Sequence, residues 1–242
     1  MRNALVPVNK LPVEILQQVP SWLPYVSEVV ATSHVCRYWR AAFLSCPNLW
    51  TFLDCKSTPA TRAYIERSGV SPLQISIRPG YSYNAFVYTI PHVQRWGSFS
   101  ATVAGEEIEP VLAVLSGPSS APKLYNLSIV PMIGFTEGDT VISKGKILGG
   151  VIPLLERLTL SNLKIEMRKL TAPNLTHLFL ASSSPDFVDM TAVLDFFKRS
   201  PLLEEVELRY PGPRVADRHI QIAPLLSTIF VASFSGIGAR CT

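Results

Sequence analysis

The chain has 242 residues, of which 48% are hydrophobic and 17% are charged, and its net charge is +4. This composition is ample for a folded core and excludes an intrinsically disordered chain. The positive charge is small and forms no basic cluster, so we expect no nucleic-acid binding. No apolar run approaches the ~18 residues that a transmembrane helix needs, and we therefore expect no membrane insertion.

The N-terminal residues predict a short amphipathic helix. Pro12 suits a first helical position, because the N–H that it lacks has no partner there. Leu11, Ile15, Leu16 and Val19 follow at the spacing of one helical face. A proline in a helix removes a hydrogen bond, so Pro20 is predicted to end this helix.

A second helix is predicted from about Glu28 to Leu44, with Pro47 behind it as a stop. Four of its apolar side chains share one face at helical spacing. They are Val35, Cys36, Trp39 and Phe43.

The pattern of the sequence changes from helical to strand-like from residue 70 onward, and one motif recurs there. Its pattern is P-x-Leu-x-x-Φ-x-Φ, with Φ an aliphatic residue, and the two Φ positions alternate with polar residues as in a strand with one buried face. The five anchoring prolines are Pro122, Pro153, Pro173, Pro201 and Pro224. Their separations of 31, 20, 28 and 23 residues lie near the period of leucine-rich repeats.

Residues 73–77 and 97–103 also alternate like strands, so the sequence predicts about seven short parallel strands. Helices are predicted between repeats in two places. One, at 106–115, has an apolar face of Ile108, Val111, Leu112 and Leu115. The other begins after Asp189 as a cap and has an apolar face of Val193, Leu194 and Phe197.

These patterns predict an α+β or α/β solenoid: a short N-terminal three-helix module followed by an irregular leucine-rich-repeat-like region of stacked parallel strands. Stacking is required because one repeat cannot bury its own apolar face. We place the helical module at 8–55, a linker at 56–72, the solenoid at 73–231 and an irregular tail at 232–242. The glycine-rich residues 144–150 are expected to form a mobile loop.

One polar position recurs just before the central aliphatic residue of each repeat. It is occupied by Asn126, Arg157, His177, Glu205 and Thr228. These side chains are predicted to line the exposed face of the strands. Repeat proteins commonly bind partners on such a face, but an ordinary polar strand face has the same pattern, and the sequence leaves both interpretations open.

The helical stretches resemble a known family. LPVEILQQVPSWLP followed by SHVCRYWRAAFLSCPNLW is similar to an F-box, in particular to the F-box of fungal (basidiomycete-like) proteins in which a leucine-rich region follows. The matching landmarks are the opening L-P-x-E-I-L at residues 11–16, V-C-x-x-W at residues 35–39 and the Leu49-Trp50 pair.

The resemblance implies a substrate-recognition subunit of an SCF-type cullin ubiquitin ligase in the cytoplasm or nucleus. The F-box would bind a Skp-type adaptor, which contacts the cullin, and the C-terminal region would select a protein substrate. The chain itself would be no enzyme and need no cofactor. The residues that the resemblance assigns to the adaptor interface, or to its support from the small core, are Leu11, Pro12, Ile15, Leu16, Val35, Cys36 and Trp39.

Pro20 departs from the family, which usually has phenylalanine after the residue corresponding to Val19. The alternative is therefore a non-enzymatic, repeat-based interaction scaffold with a degenerate F-box. The residues after the fifth repeat also lack a polar capping segment, so we expect a truncated chain with poor solubility.

Metal or nucleophile chemistry has weak support in the sequence. His34, Cys36 and Cys46 lack the paired spacing of zinc ligands, and no metal site is expected. A cysteine nucleophile would need a nearby base; His177 or His219 approaching in space is left open. Without a secretory signal, the cysteines are expected to be reduced thiols.

Overall fold

The computed structural model describes residues 7–22, 26–117, 120–132, 141–142, 146–181, 190–210 and 228–233. The α-helices are α1 (Val13–Gln18), α2 (Val26–Ser33), α3 (Arg37–Leu44), α4 (Thr58–Arg67), α5 (Tyr83–Val87), α6 (Gly105–Leu115) and α7 (Met190–Arg199). Short 3₁₀ turns lie at Pro7–Lys10, Val19–Trp22, Pro47–Trp50, Ile90–Arg95, Ile147–Gly150 and Met167–Lys169. The strands are β1 (Phe52–Leu53), β2 (Leu73–Ile77), β3 (Trp96–Val103), β4 (Asn126–Pro131), β5 (Val141–Ile142), β6 (Arg157–Ser161), β7 (Leu163–Lys164), β8 (His177–Ala181), β9 (Glu205–Tyr210) and β10 (Thr228–Ser233).

Helix α1 is shorter than the sequence predicts. Pro12 is extended and precedes the first helical residue, instead of being that residue. The α-helix ends at Gln18, where the Val19 N–H bonds to the Leu16 carbonyl and a 3₁₀ turn begins. Pro20 has no N–H to give to that carbonyl, so the α-helical hydrogen-bond ladder cannot continue past this point.

The single helix predicted from Glu28 to Leu44 is wrong, because the chain breaks into α2 and α3 at residues 34–36. Cys36 is fully extended there (φ −159°, ψ 174°). The break lets the chain fold back, so Val29 of α2 and Phe43 of α3 share one buried cluster. One straight helix could not bring these two side chains together. Val35 and Cys36 therefore precede α3 and do not share a helical face with Trp39.

Eight strands form one sheet in the order β1-β2-β3-β4-β6-β8-β9-β10, and every neighbouring pair is parallel. The seven predicted strands are all present. The eighth, β1, has two residues, too few to show a period in sequence. Residues 56–72, assigned to a linker, contain α4. Strands β5 and β7 pair separately.

The aliphatic face of the sheet is buried against the connecting helices. Phe99 of β3, Leu158 of β6 and Val206 of β9 belong to one apolar cluster. Helix α6 buries Ile108, Val111, Leu112 and Leu115, the face that the sequence predicts. The buried face of helix α7 differs from the predicted one. It buries Ala192, Val193 and Phe196, while Leu194 and Phe197 are half-buried. Asp189 lies outside the described residues.

Residues 146–150 belong to the segment that the sequence predicts to be a mobile loop, and most of them are packed into the structure. Ile147, Leu148 and Gly150 are buried, and the Thr171 N–H donates to the Gly150 carbonyl at 2.8 Å. Gly150 has a positive φ of 79°, and a Cβ atom there would lie 2.4 Å from the Lys169 carbonyl oxygen. Only glycine fits this position without displacing backbone.

Substituting Gly150 with alanine is expected to lower the free energy of unfolding by about 3 kcal/mol or more, since a left-handed conformation and a backbone clash combine. Gly69→Ala is the matched control, because Gly69 also has a positive φ but open space around its Cβ position. It should cost about 1–2 kcal/mol. Urea unfolding of both variants measures the difference; equal losses would contradict the clash at Gly150.

Candidate functional site

The N-terminal helices surround a small core of their own. Its buried members are Leu16, Val29, Trp39, Ala42, Phe43 and Trp50. The indole N–H of Trp50 donates to the Phe43 carbonyl at 3.0 Å, so the buried polar atom of this side chain is satisfied. The rings of Trp39 and Phe43 stack with centroids 6.0 Å apart. This core fixes which apolar side chains remain outside.

The seven residues assigned to adaptor docking divide into two groups. Leu16 is completely buried and Trp39 is 8% exposed; both side chains therefore serve the core of the module. Ile15 is 44% exposed and Val35 is 58% exposed. Pro12 is also exposed, while Leu11 and Cys36 are half-buried.

The outward-facing residues lie on two segments that the fold brings together. The Tyr38 hydroxyl, at the start of α3, donates to the Leu11 carbonyl, just before α1, at 2.9 Å. We name Leu11, Pro12, Ile15, Val35 and Tyr38 the apolar edge. Apolar side chains of this size exposed on neighbouring segments are typical of a protein-interaction surface.

Two exposed aromatic residues were missed by sequence reasoning. Tyr38 is 41% exposed and Trp22 is 85% exposed. The V-C-x-x-W motif includes Trp39 but specifies no residue at position 38, so it did not indicate Tyr38. Trp22 lies in a 3₁₀ turn, where no helical periodicity predicts which side chains are exposed. A large apolar side chain this close to two prolines was the one available signal for Trp22.

The second candidate surface is the outer face of the sheet. Asn126, Arg157, His177, Glu205 and Thr228 are directly opposite one another on β4, β6, β8, β9 and β10. This confirms the predicted alignment of these five positions. We name these five residues the polar row. Asn126 and His177 are half-buried and Arg157 and Glu205 are exposed.

Polar contacts connect parts of this row. The Asn126 amide donates to Ser98 Oγ at 3.0 Å. His177 Nε2 lies 3.5 Å from Glu205 Oε2, and Thr176 Oγ1 lies 2.8 Å from His177 Nδ1. A shallow depression lies along the row. Asn126, Arg157, His177 and Glu205 line it together with Thr159 and Phe179.

Helix α4 connects the two surfaces. Tyr64 packs against both apolar clusters of the chain, and its ring lies 5.4 Å from that of Trp50. The Arg67 guanidinium lies over the ring of Trp50, 4.5 Å from its centroid. Arg95 donates to Ser68 Oγ at 2.6 Å and to the Ser71 carbonyl at 3.0 Å. The N-terminal helices and the sheet are thus packed together through α4.

The residues proposed for chemistry are not gathered into a site. His34 is exposed, and Cys36 and Cys46 are half-buried cysteines that form no disulfide. Among the described residues, no cluster of three His, Cys, Asp or Glu side chains could hold a metal ion. Likewise, none of the helices that the structure describes is long and apolar enough to cross a membrane. His219 lies outside the described residues.

The N-terminal residues form a small helical module with a core of its own, and an α/β region with a parallel sheet follows it. Residues 8–56 match the F-box-like family, so the module is an F-box-like domain. The match ends before α4 and does not include β2–β10. A comparison with curated proteins finds no match for the chain.

Truncating the two neighbouring α1 residues should separate stability from surface function. Leu16→Ala is expected to lower the free energy of unfolding by about 2–5 kcal/mol, because it leaves a cavity in the module. Ile15→Ala, at the exposed position beside it, should cost less than about 1 kcal/mol. Thermal or urea unfolding of both variants tests the assignment; a larger loss for Ile15→Ala would contradict it.

Cys55 should be unreactive in the folded protein. Its burial, and to a lesser degree the negative charge of Asp54, raise the pKa of this thiol to about 12, so almost no thiolate forms at pH 8. Maleimide labelling followed by peptide mapping should modify Cys46 in the native protein and Cys55 only after denaturation. Equal native labelling rates at the two sites would contradict this burial.

Proposed function

We propose that this protein is the substrate-recognition subunit of an SCF-type cullin ubiquitin ligase. The F-box-like domain would bind a Skp-type adaptor, and through it a cullin, while the sheet region would bind a protein substrate. The observation that carries the proposal is the combination of an F-box-like domain with a second, polar surface on an in-register parallel sheet.

In this proposal the sheet region is an irregular leucine-rich-repeat-like solenoid of the kind that follows the F-box in fungal proteins. Two features support it: the strand order follows the chain, and the recurring motif residues occupy equivalent positions on neighbouring strands. Stacked repeats of this kind present an extended binding surface.

The chain would perform no chemistry. Ubiquitin transfer would be carried out by other subunits, and this protein would raise the local concentration of the substrate next to them. Such a role places it in the cytoplasm or the nucleus and needs no cofactor.

The apolar edge is the surface that we assign to the adaptor. Three of its features fit such a contact: its side chains are partly exposed, its two segments are joined by the Tyr38–Leu11 hydrogen bond, and all five residues lie within the F-box-like match. Helical docking surfaces usually depend on a few apolar anchors of this kind. Leu16 and Trp39 would act indirectly, by holding α1 and α3 in place.

The alternative is an interaction scaffold whose F-box-like domain no longer binds an adaptor. The early end of α1 at Gln18 favours it, since a shorter helix offers fewer anchors. Both proposals give the sheet a binding role, and they differ in whether the adaptor is captured.

Replacing Ile15 or Val35 with glutamate should weaken capture of a purified Skp-type adaptor by about tenfold or more, because each change introduces a charge into an apolar contact. Val70→Glu is the matched control: Val70 is 87% exposed, on the turn after α4 and outside the F-box-like match. It should leave capture unchanged. Binding can be measured by co-purification and biolayer interferometry, with circular dichroism to verify folding.

If the unmodified chain captures no adaptor while folded, the ligase role is wrong and the scaffold remains. If all three variants capture the adaptor as well as the unmodified chain, binding occurs but the apolar edge is not its site.

A further inference from the structure

The outer face of the sheet changes in charge from one strand to the next. The polar row continues across β2 and β3, and a second row on the same face lies two residues further along each strand. On β2, β3 and β4 both rows carry uncharged side chains. They are Gln74, Ser76, Ser98, Ser100, Asn126 and Ser128. In these rows the first charge is Arg157 on β6, and Glu205 and Glu207 follow on β9, with Arg209 one row further along β9. Within the two rows, β2–β4 are therefore uncharged, and the strands from β6 to β9 carry both signs of charge.

Two of these four charges neutralise each other. Arg209 Nε donates to Glu207 Oε1 at 2.6 Å, and its guanidinium also lies 5.2 Å from the ring centroid of Phe179. Arg209 and Glu207 thus form a pair next to an aromatic ring. Such a pair has little charge left to attract a partner.

Arg157 and Glu205 differ from that pair. Arg157 forms no ion pair with any residue that the structure describes. Of the side chains that the structure describes, His177 is the one within ion-pairing distance of Glu205, at 3.5 Å, and this is an ion pair only while the imidazole is protonated. One cation and one anion on the open face are therefore available to a partner.

The sheet fixes the distance between these two charges. Arg157, His177 and Glu205 are directly opposite one another on adjacent strands, so the first and third backbones are two strand spacings, about 9.6 Å, apart. A segment in polyproline II conformation repeats every three residues and rises about 3.1 Å per residue. Its residues i and i+3 point to the same side, about 9.3 Å apart. The depression along the row is lined by Arg157 and Glu205 as well as by Thr159 and Phe179, so it lies between the two charges.

We propose that this face binds an extended peptide segment of a protein partner, lying across the strands and carrying one acidic and one basic side chain three residues apart. The acidic side chain pairs with Arg157 and the basic one with Glu205. The intervening residues lie over the depression next to Phe179. The inference rests on the proposed function in one respect: it identifies the partner as the substrate.

The test is a selection of peptides from a displayed library of random 12-residue sequences on the purified full chain. The unmodified protein should enrich peptides with opposite charges at i and i+3. Arg157→Glu makes the available charges both acidic, so it should enrich two basic residues at that spacing. Glu205→Arg should enrich two acidic residues. Each reversal should weaken binding of a peptide selected on the unmodified protein by roughly threefold to tenfold.

Lys123→Glu and Glu109→Arg are the matched controls, because they make the same charge changes at exposed residues outside the outer face. They should leave the selected pattern unchanged. Enrichment without a charge pattern, one pattern that survives both reversals, or no enrichment by folded protein would each overturn the proposal.

Adaptor capture by the same variants separates this inference from the proposed function. Arg157→Glu and Glu205→Arg should capture the adaptor like the unmodified chain. If capture fails while the peptide patterns are as expected, the ligase role is wrong and the peptide site stands. If capture succeeds and no charge pattern is found, the peptide site is wrong and the ligase role stands.

Discussion

The parallel register of the sheet is the constraint on which the rest of the structure depends. Side chains alternate between the two faces of a strand, so a slip of one residue would exchange the buried and exposed sets. The alternating aliphatic residues of each strand, such as Leu158 and Leu160 on β6, exclude such a slip. Burial on the inner face therefore also aligns Arg157, His177 and Glu205 on the outer face. The candidate binding surface is a consequence of the core.

The same packing continues into the F-box-like domain. Strand β1 follows the last turn of the module and pairs in parallel with β2, while Tyr64 contacts both apolar clusters. Trp50 belongs to the module core and is covered by Tyr64 and Arg67 of α4. A displacement of the module relative to the sheet would expose these aromatic surfaces. The apolar edge and the polar row are thus held by one continuous set of contacts.

The features that could be predicted from the sequence are those that local patterns determine. Alternation predicted the seven main strands, and aligning the motif predicted the polar row with its five residues in register. The break at Cys36 could not be predicted, because it depends on Val29 meeting Phe43. The burial of Ile147 and Leu148 depends on a hydrogen bond from Thr171 to Gly150, about twenty residues along the chain. Contacts of this kind leave no period in the sequence.

The division of the docking residues follows from the same limitation. The F-box resemblance places Leu16 and Trp39 beside Ile15 and Val35 in one motif, yet burial assigns the first two to the core and leaves the other two on the surface. Loss of a partner after truncation of a buried residue has two causes, a missing contact or a displaced helix. Loss after a change at an exposed residue in a folded variant has only the first. Tyr38 is exposed and donates a hydrogen bond to the Leu11 carbonyl without belonging to the core. The exposed residues are therefore the ones at which docking and folding can be separated.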